Sequence, residues 1–283
     1  MPPRSNPTAR QVRLGTELRR LREAAGLKAR EVAALLNSTS GQMSHIELGI
    51  AAVSAERVRR LASHYDCTDE VLIDALVTMA TDRARGWWEE YRGVLPPAFQ
   101  DTAEAEHYAT SLREVVITYV PGLLQTADYA RAVYTYVRPG LPESELAPRV
   151  EHRMMRRAVI EGDNPTPYET FIHECALRVR VSDRGVARAQ LQQILDQIEQ
   201  GHATVRVIPF DQDGFGGTGI SMMYAGGPVP QLDTGLRDAP TGVAFIDAEA
   251  QLKQLRTLFR KIEAASLDPA ASRDFIHSLK KEL

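Results

Sequence analysis

The sequence predicts an all-α head over residues 1–68 and an α+β body with a small mixed sheet over residues 101–283, joined by a helical linker at 69–100. Three observations predict this. Apolar side chains recur at helical spacing through residues 10–65. β-rich runs begin only later, at 113–120, 168–173, 204–208, 220–224 and 243–246, with helical stretches between them. Charge also divides the chain: residues 1–65 hold 11 Lys/Arg against 5 Asp/Glu, a net of +6, and the rest hold 23 against 32, a net of −9. A basic head on an acidic body suits a head that meets a polyanion. The plainer alternative is that Arg19, Arg20 and Arg22 form the wet face of a helix.

The remaining composition sets bounds. The 283 residues suit two domains, and 43% hydrophobic with 25% charged residues is ordinary for a globular protein. No apolar run approaches the roughly 20 residues of a membrane span. The first ten residues have no apolar core, so no secretory signal is expected. Cys67 and Cys175 stand far apart, which argues against a disulfide framework or structural zinc and for a reducing cytoplasm.

In the head, residues 1–9 hold three prolines and are expected to form a disordered basic arm. A first helix spans about Arg10–Ala25, with Val12, Leu14, Leu18 and Leu21 apolar, and Gly26 ends it. A second, about Lys28–Leu36, buries Val32, Ala33 and Leu36. Asn37 marks the turn, because asparagine tolerates a left-handed backbone. Thr39 is the expected N-cap of a third helix, Ser40–Leu48, with Gln42 completing a capping box. Met43 and Ile46 then face inward, and Ser40, Gly41, Gln42, Ser44 and His45 outward. A fourth helix covers about Ala55–Tyr65.

Leu27, Val32, Ala33, Asn37, Thr39, Met43, Ser44, Ile46, Glu47 and Gly49 stand in one register. With them, residues 14–66 resemble the lambda-repressor-like helix-turn-helix of the xenobiotic-response-element family. The resemblance implies a DNA-binding head whose third helix enters the major groove. It also implies DNA-contacting roles for Lys28, Thr39, Ser40, Gly41, Gln42, Ser44 and His45. The family's usual Thr-Gln at the start of the second helix is Lys28-Ala29 here, so a point charge replaces a directed hydrogen bond. The reading face lacks the arginine or paired glutamine that gives strong bidentate base contacts. Gln42 and His45 are the best remaining readers. Modest specificity per half-site follows, with affinity supplied by dimerisation and phosphate contacts. A degenerate head that binds only protein is the alternative.

In the linker, Asp69 is expected to cap a helix over about Glu70–Arg92 that Pro96-Pro97 stops. Trp87 and Trp88 serve either packing of that helix or a partner contact. Gly86-Trp87-Trp88 with Tyr91 and Leu95-Pro96, then Pro121-Gly122-Leu123-Leu124-Gln125-Thr126 with Tyr129-Ala130, resemble a regulatory domain of filamentous actinobacteria. Arg149, Arg153 and Val207-Ile208-Pro209-Phe210 continue the likeness. That domain follows a helix-turn-helix in antitoxin-like, WhiJ-type regulators. The resemblance implies a DNA-binding regulator often encoded beside a very small partner protein.

In the body, helices are expected at 101–113, 126–137, 143–161, 186–200, 248–265 and 269–283. Catalytic chemistry finds little support. His173-Glu174-Cys175-Ala176-Leu177 begins like a zinc-binding HExxH but has Leu177 where the second histidine belongs. Gly214–Gly219 matches GxGxxG, yet a β-like run follows where a dinucleotide site needs a helix. The glycine-rich stretches at 214–219 and 226–228 either connect strands or flank a ligand cleft with Tyr224. Leu252, Leu255, Phe259 and Ile262 face the core or a dimer partner.

The expected protein is therefore a cytoplasmic, nucleoid-associated, sequence-specific transcriptional regulator acting as a homodimer on double-stranded DNA. Its C-terminal domain is expected to receive a signal from a small protein encoded by a neighbouring gene or from a small-molecule effector, with Trp87, Trp88 and Tyr224 as candidate ligand or partner residues. The alternatives are an antitoxin-like protein whose main partner is that small protein, and a ligand-gated repressor. No catalytic residue, cofactor, metal or membrane contact is expected.

Overall fold

A computed structural model describes residues 7–82, 84–239 and 242–283, so most of the expected basic arm lies outside the described residues. The chain forms two compact units. One reaches Trp87 and includes Gly227–Asp233; the other comprises Trp88–Gly226 and Thr234–Leu283. The stretch 69–100, expected as a linker, is thus divided between them at Trp87/Trp88.

The first unit is helical: α1 Ala9–Ala24, α2 Ala29–Leu35, α3 Ser40–Glu47, α4 Ala55–His64 and α5 Glu70–Thr81. Caps set the starts, because the first turn of a helix leaves amide N–H groups without intrahelical acceptors. Thr8 and Gln11 exchange hydrogen bonds in a capping box, Ser54 accepts from the Arg57 amide, and Asp69 from the Leu72 amide. Leu18, Val32, Met43, Val58, Leu61 and Leu76 are wholly buried in one core. Val229 and Leu232, contributed by the chain between two strands of the body, complete it.

Two glycines let α1 and α3 meet backbone to backbone. A Cβ on Gly15 would stand 2.5 Å from the Glu47 carbonyl oxygen, and one on Gly49 would stand 2.6 Å from that of Gln11. Gly49 also holds a φ of 73°, which L side chains rarely adopt.

α5 is shorter than expected. It ends at Thr81, and the Asp82 carboxylate accepts from the Ala84 amide, a local turn that competes with helix. A short 3-10 turn, Trp87–Tyr91, follows. Pro97, expected to stop a helix, instead opens one: α6 spans Pro97–His107 with the proline in its first turn, where no N–H is needed.

The second unit continues with β1 Ser111–Val116, α7 Ala127–Val137, α8 Glu143–Met155, α9 Ala158–Glu161, β2 Tyr168–His173, α10 Glu174–Arg178, α11 Arg184–Glu199 and β3 Thr204–Ile208. It ends with β4 Met222–Gly226, β5 Thr234–Ala239, β6 Gly242–Ile246, α12 Glu249–Ala264 and α13 Pro269–Glu282. The six strands run in the order β3-β2-β1-β4-β5-β6. β1, β2 and β3 are parallel; the pairings of β1 with β4, β4 with β5 and β5 with β6 are antiparallel, so the sheet is mixed as expected.

Side-chain alternation gives the sheet two different faces. Leu112, Val116, Ile172 and Val207 pack with Ile194 and Leu195 of α11 and Ile276 of α13. Val115, Phe171, Ile208 and Tyr224 pack under Leu252, Leu255, Phe259 and Ile262, which makes that α12 stripe a core stripe within one chain. Beside them Arg113 reaches Glu169 and Glu263, and Arg206 also reaches Glu169.

Three local expectations change. β5 has no β-rich signature, because Leu236 is its one large apolar residue; it is a strand because β4 and β6 pair with it on both sides. Its Gly235 sits so close beneath Leu255 that a Cβ would lie 2.6 Å from that side chain. The helix expected over 143–161 breaks at Arg156-Arg157, where both guanidiniums turn inward, Arg156 to the Glu106 carboxylate and Arg157 to the Gln125 carbonyl. The helix expected at 101–113 yields at Ser111 to β1, which is paired by β2 and β4.

Gly15→Ala should lower stability by about 1–3 kcal/mol, because the added carbon meets rigid carbonyls rather than a side-chain tip. Gly41→Ala, whose Cβ would have no heavy atom nearer than 3.9 Å, should be neutral or stabilising by up to about 1 kcal/mol. Urea unfolding of both variants decides; equal effects would mean that the α1–α3 approach is not tight.

Candidate nucleic-acid interface

The α2–α3 element is built by a turn and a cap. Asn37 takes a φ of 49°, the left-handed conformation expected of it, and the Ser38 amide returns to the Ala33 carbonyl at 2.8 Å. Thr39 caps α3 by accepting from the Gln42 amide at 3.1 Å. Met43 and Ile46 point into the core, while Ser40, Gly41, Gln42, Ser44 and His45 are all exposed. These residues therefore share one continuous exposed surface on α3, with Lys28 exposed at the N-cap of α2.

Its hydrogen-bonding capacity is narrower than the residue names suggest. Gln42 does not close the expected capping box; its Oε1 accepts from Ser38 Oγ at 2.7 Å, because Ser38 lies one turn before it. This leaves the Gln42 amide nitrogen to face a partner. Ser44 Oγ donates to the Ser40 carbonyl at 3.0 Å and so presents mainly acceptor capacity. Thr39 spends its hydroxyl as an acceptor on the cap. Glu31 reaches back to the Lys28 amide at 2.8 Å, leaving the Lys28 ammonium in solvent. Gln42 and His45 remain the side chains best suited to base edges, with the bare Gly41 between Ser40 and Gln42 allowing close approach.

A buried ion pair holds α3 in place. Arg22 Nε donates to Glu47 Oε1 at 2.6 Å and Nη2 to Oε2 at 3.0 Å, while Nη1 donates to the Leu27 carbonyl at 2.6 Å. Both residues are buried. The hydrogen bond to Glu47 holds the Arg22 guanidinium above its ordinary pKa, and burial pushes the nearby Tyr65 phenol up. Arg22 is thus no wet-face residue. Nothing local in sequence marks it, because its partner lies 25 positions away.

Charge is also redistributed. Arg10, Arg13, Arg19, Arg20, Arg22, Arg59 and Arg60 all lie in ion pairs, most with acidic residues of the head itself. Asp66, Asp69, Glu70, Asp74, Asp82 and Asp233 belong to the same compact unit, against Arg83 and Arg85, so the +6 of residues 1–65 falls to +2 for the unit.

The remaining singled-out residues have structural surroundings. Trp88 is buried, with its ring 4.9 Å from that of His107 and its carbonyl accepting from Gln100. Trp87 is half-buried in the first unit. Tyr224 is buried beneath α12; its hydroxyl accepts from Arg256 at 2.8 Å and its ring meets Phe259 edge-on. His173 caps α10 by accepting from the Cys175 amide, and Glu174 accepts from the Phe210 amide and pairs with Arg178. Gly214, Gly217 and Gly219 all have positive φ in a loop that leads into β4, as a strand connection requires.

A family model described as a helix-turn-helix domain matches residues 13–76, and one described as a domain of unknown function (DUF5753) matches residues 99–278. No curated protein and no solved structure matches the chain. Among the described residues, no helix is long and apolar enough to cross a membrane.

Arg22→Leu leaves Glu47 buried without its counter-charge and should cost about 3–5 kcal/mol in urea unfolding. Arg22→Leu with Glu47→Leu should recover part of that loss. A single-variant cost below about 1 kcal/mol would show that the pair does not hold α3.

Proposed function

We propose, starting from the chain's membership of the DUF5753 family and its helix-turn-helix domain, that this DNA-binding regulator is sequence-specific and acts as a homodimer. The observation that carries this reading is the exposed face of α3, presented whole on a capped helix locked from behind by Arg22 and Glu47. In this reading α3 enters the major groove, Gln42 and His45 read base edges, and Ser40, Thr39 and Lys28 meet phosphates. The body acts without catalysis. It receives a signal from a small protein or a ligand, in the manner of the WhiJ-type regulators of actinobacteria that the sequence resembles. A single head reads weakly, so two heads on paired half-sites supply the affinity.

The antitoxin-like reading, in which a small protein is the principal partner, draws support from one observation. The first unit carries a net charge of only +2, little for a protein that binds chiefly through phosphates. Co-expression with the product of the neighbouring small gene, followed by co-purification, separates the two readings.

Gel shifts with DNA from upstream of the protein's own gene, at two salt concentrations, test the leading one. Binding should exceed that to random DNA and weaken with salt. His45→Ala should cost about 1–3 kcal/mol on the specific site and little on random DNA, whereas Lys28→Met should weaken both alike and lower the salt slope by about 1. Equal affinity for specific and random DNA would sink the proposal.

A further inference from the structure

The body holds a cavity of about 310 Å³ on the sheet face that carries Val116, bordered by α6 and α8. That volume is at the small end of the range for ligand sites. Phe99, Val116, Met223 and Leu236 give it an apolar wall. Arg153 of α8 and Arg156, the residue that ends it, line it, together with Glu114 of β1 and Asp238 of β5 from the sheet.

The charges around this cavity do not pair off. Arg156 is spent on Glu106, which it holds through two hydrogen bonds. Arg153 has neutral partners only among the described residues: Nη1 donates to Gln125 at 3.1 Å and Nη2 to the Tyr134 hydroxyl at 2.8 Å. Its Nε is buried with no acceptor. Glu114 accepts from the Tyr168 hydroxyl at 2.6 Å through Oε2 alone. Among the described residues, neither Glu114 nor Asp238 has a basic group within ion-pair distance. One arginine with no carboxylate at ion-pair distance therefore shares an apolar-walled space with two carboxyls that lack an ion-pair partner, the half-buried Glu114 and the exposed Asp238, which feel Arg153 and Arg156 only at longer range. Unpaired charges next to low-dielectric walls cost free energy that a complementary ligand relieves.

We infer that this cavity binds a small apolar zwitterion, an amino acid with a hydrocarbon side chain or a close analogue. Its carboxylate meets Arg153, its ammonium meets Glu114 and Asp238, and its side chain lies against Met223, Leu236 and Val116. As an effector site, this inference rests on the reading that the body receives a signal. The wall offers a route for it. β4 and β5 carry Met223 and Leu236, and the segment joining these strands is Gly227–Asp233, whose Val229 and Leu232 lie in the core of the first unit. In that unit Gln231 accepts from Arg13 through its carbonyl and donates to Asp69.

Binding should be linked to protons. Burial pushes the Glu114 carboxyl up to about 7, with the Tyr168 hydrogen bond and Arg156 opposing and Glu106 and Asp238 reinforcing. Burial raises Asp238 as well, against Arg153 and Arg156. Arg237 also lines the cavity, and His152, held neutral by burial and by Arg156 and Arg153, stands beside them on α8. An ammonium favours ionised carboxyls, so binding should release protons and tighten as pH rises from about 6 to about 8.

Isothermal titration calorimetry on the full chain tests this with L-leucine, L-phenylalanine, 3-methylbutylamine and 4-methylpentanoate. At least one amino acid should bind, and the amine and the acid, each lacking one pole, should bind at least about tenfold more weakly than leucine or not at all. Arg153→Met should remove the preference of leucine over the amine, and Glu114→Gln the preference over the acid and the proton release. Circular dichroism checks the fold of each variant, and Arg153→Gln, which also removes the charge but keeps hydrogen-bonding capacity towards Gln125 and Tyr134, serves if the methionine variant does not fold. The inference is overturned if no probe binds folded wild-type protein, or if the acid or the amine binds as tightly as leucine. Gel shifts with and without the bound amino acid are read separately. Binding without any change in DNA affinity leaves the site standing and removes the signalling reading.

Discussion

The head depends on the backbone approach of α1 to α3 and on the ion pair that closes it. Gly15 and Gly49 remove the two side-chain carbons that would separate the helices, and Arg22 crosses beside them to take the Glu47 carboxylate with two donors. Each device needs the other. The close approach buries the ion pair, and the pair satisfies charges that would otherwise oppose that burial. A seven-residue α2 and an eight-residue α3 are too short to hold their own geometry. The exposed face of α3 is defined because α3 is clamped from behind at its C-terminal end and capped by Thr39 at the other.

The body uses the two faces of one sheet differently. On the α12 side, Arg113, Glu169, Arg206 and Glu263 form a compensated network beside Phe171 and Phe259. On the other side, α11 and α13 cover the parallel strands with an apolar core, while the antiparallel half leaves the cavity with its unbalanced charges. That contrast separates charges that each have an opposite partner from charges that do not. The same sheet supplies the head, since the connection from β4 to β5 gives Val229 and Leu232 to the helical core.

For the regulator, these arrangements trade strength of reading for dependence on context. Most head arginines are tied into ion pairs, and α3 offers the Gln42 amide, His45 and a few hydroxyls. In the proposed reading, such a head would gain little from one site alone and much from a second head. A chain segment of the body built into the core of the head is well placed to matter.

Local chemistry was legible from the amino-acid order. The turn at Asn37, the Thr39 cap, the inward Met43 and Ile46, the exposed face from Ser40 to His45 and the strands at 168–173 and 204–208 all follow from signals within a few residues. What needed partners distant in sequence was not legible. Arg22 reads as a surface residue until Glu47 lies beside it, and β5 carries no strand signal of its own until β4 and β6 pair with it. Pro97 reads as a helix stop because its neighbours alone do not reveal that a helix starts there. The tryptophans and Tyr224 attracted attention as large aromatics, yet Trp88 and Tyr224 are buried, and the cavity lies on the opposite face of the sheet from Tyr224. The sequence by itself determined the α2–α3 turn, the Thr39 cap and the exposed face of α3, since these depend on neighbours one turn away. Only the tertiary structure decided which charges are spent and which remain unpaired, because Coulomb partners and burial are set by distance in space.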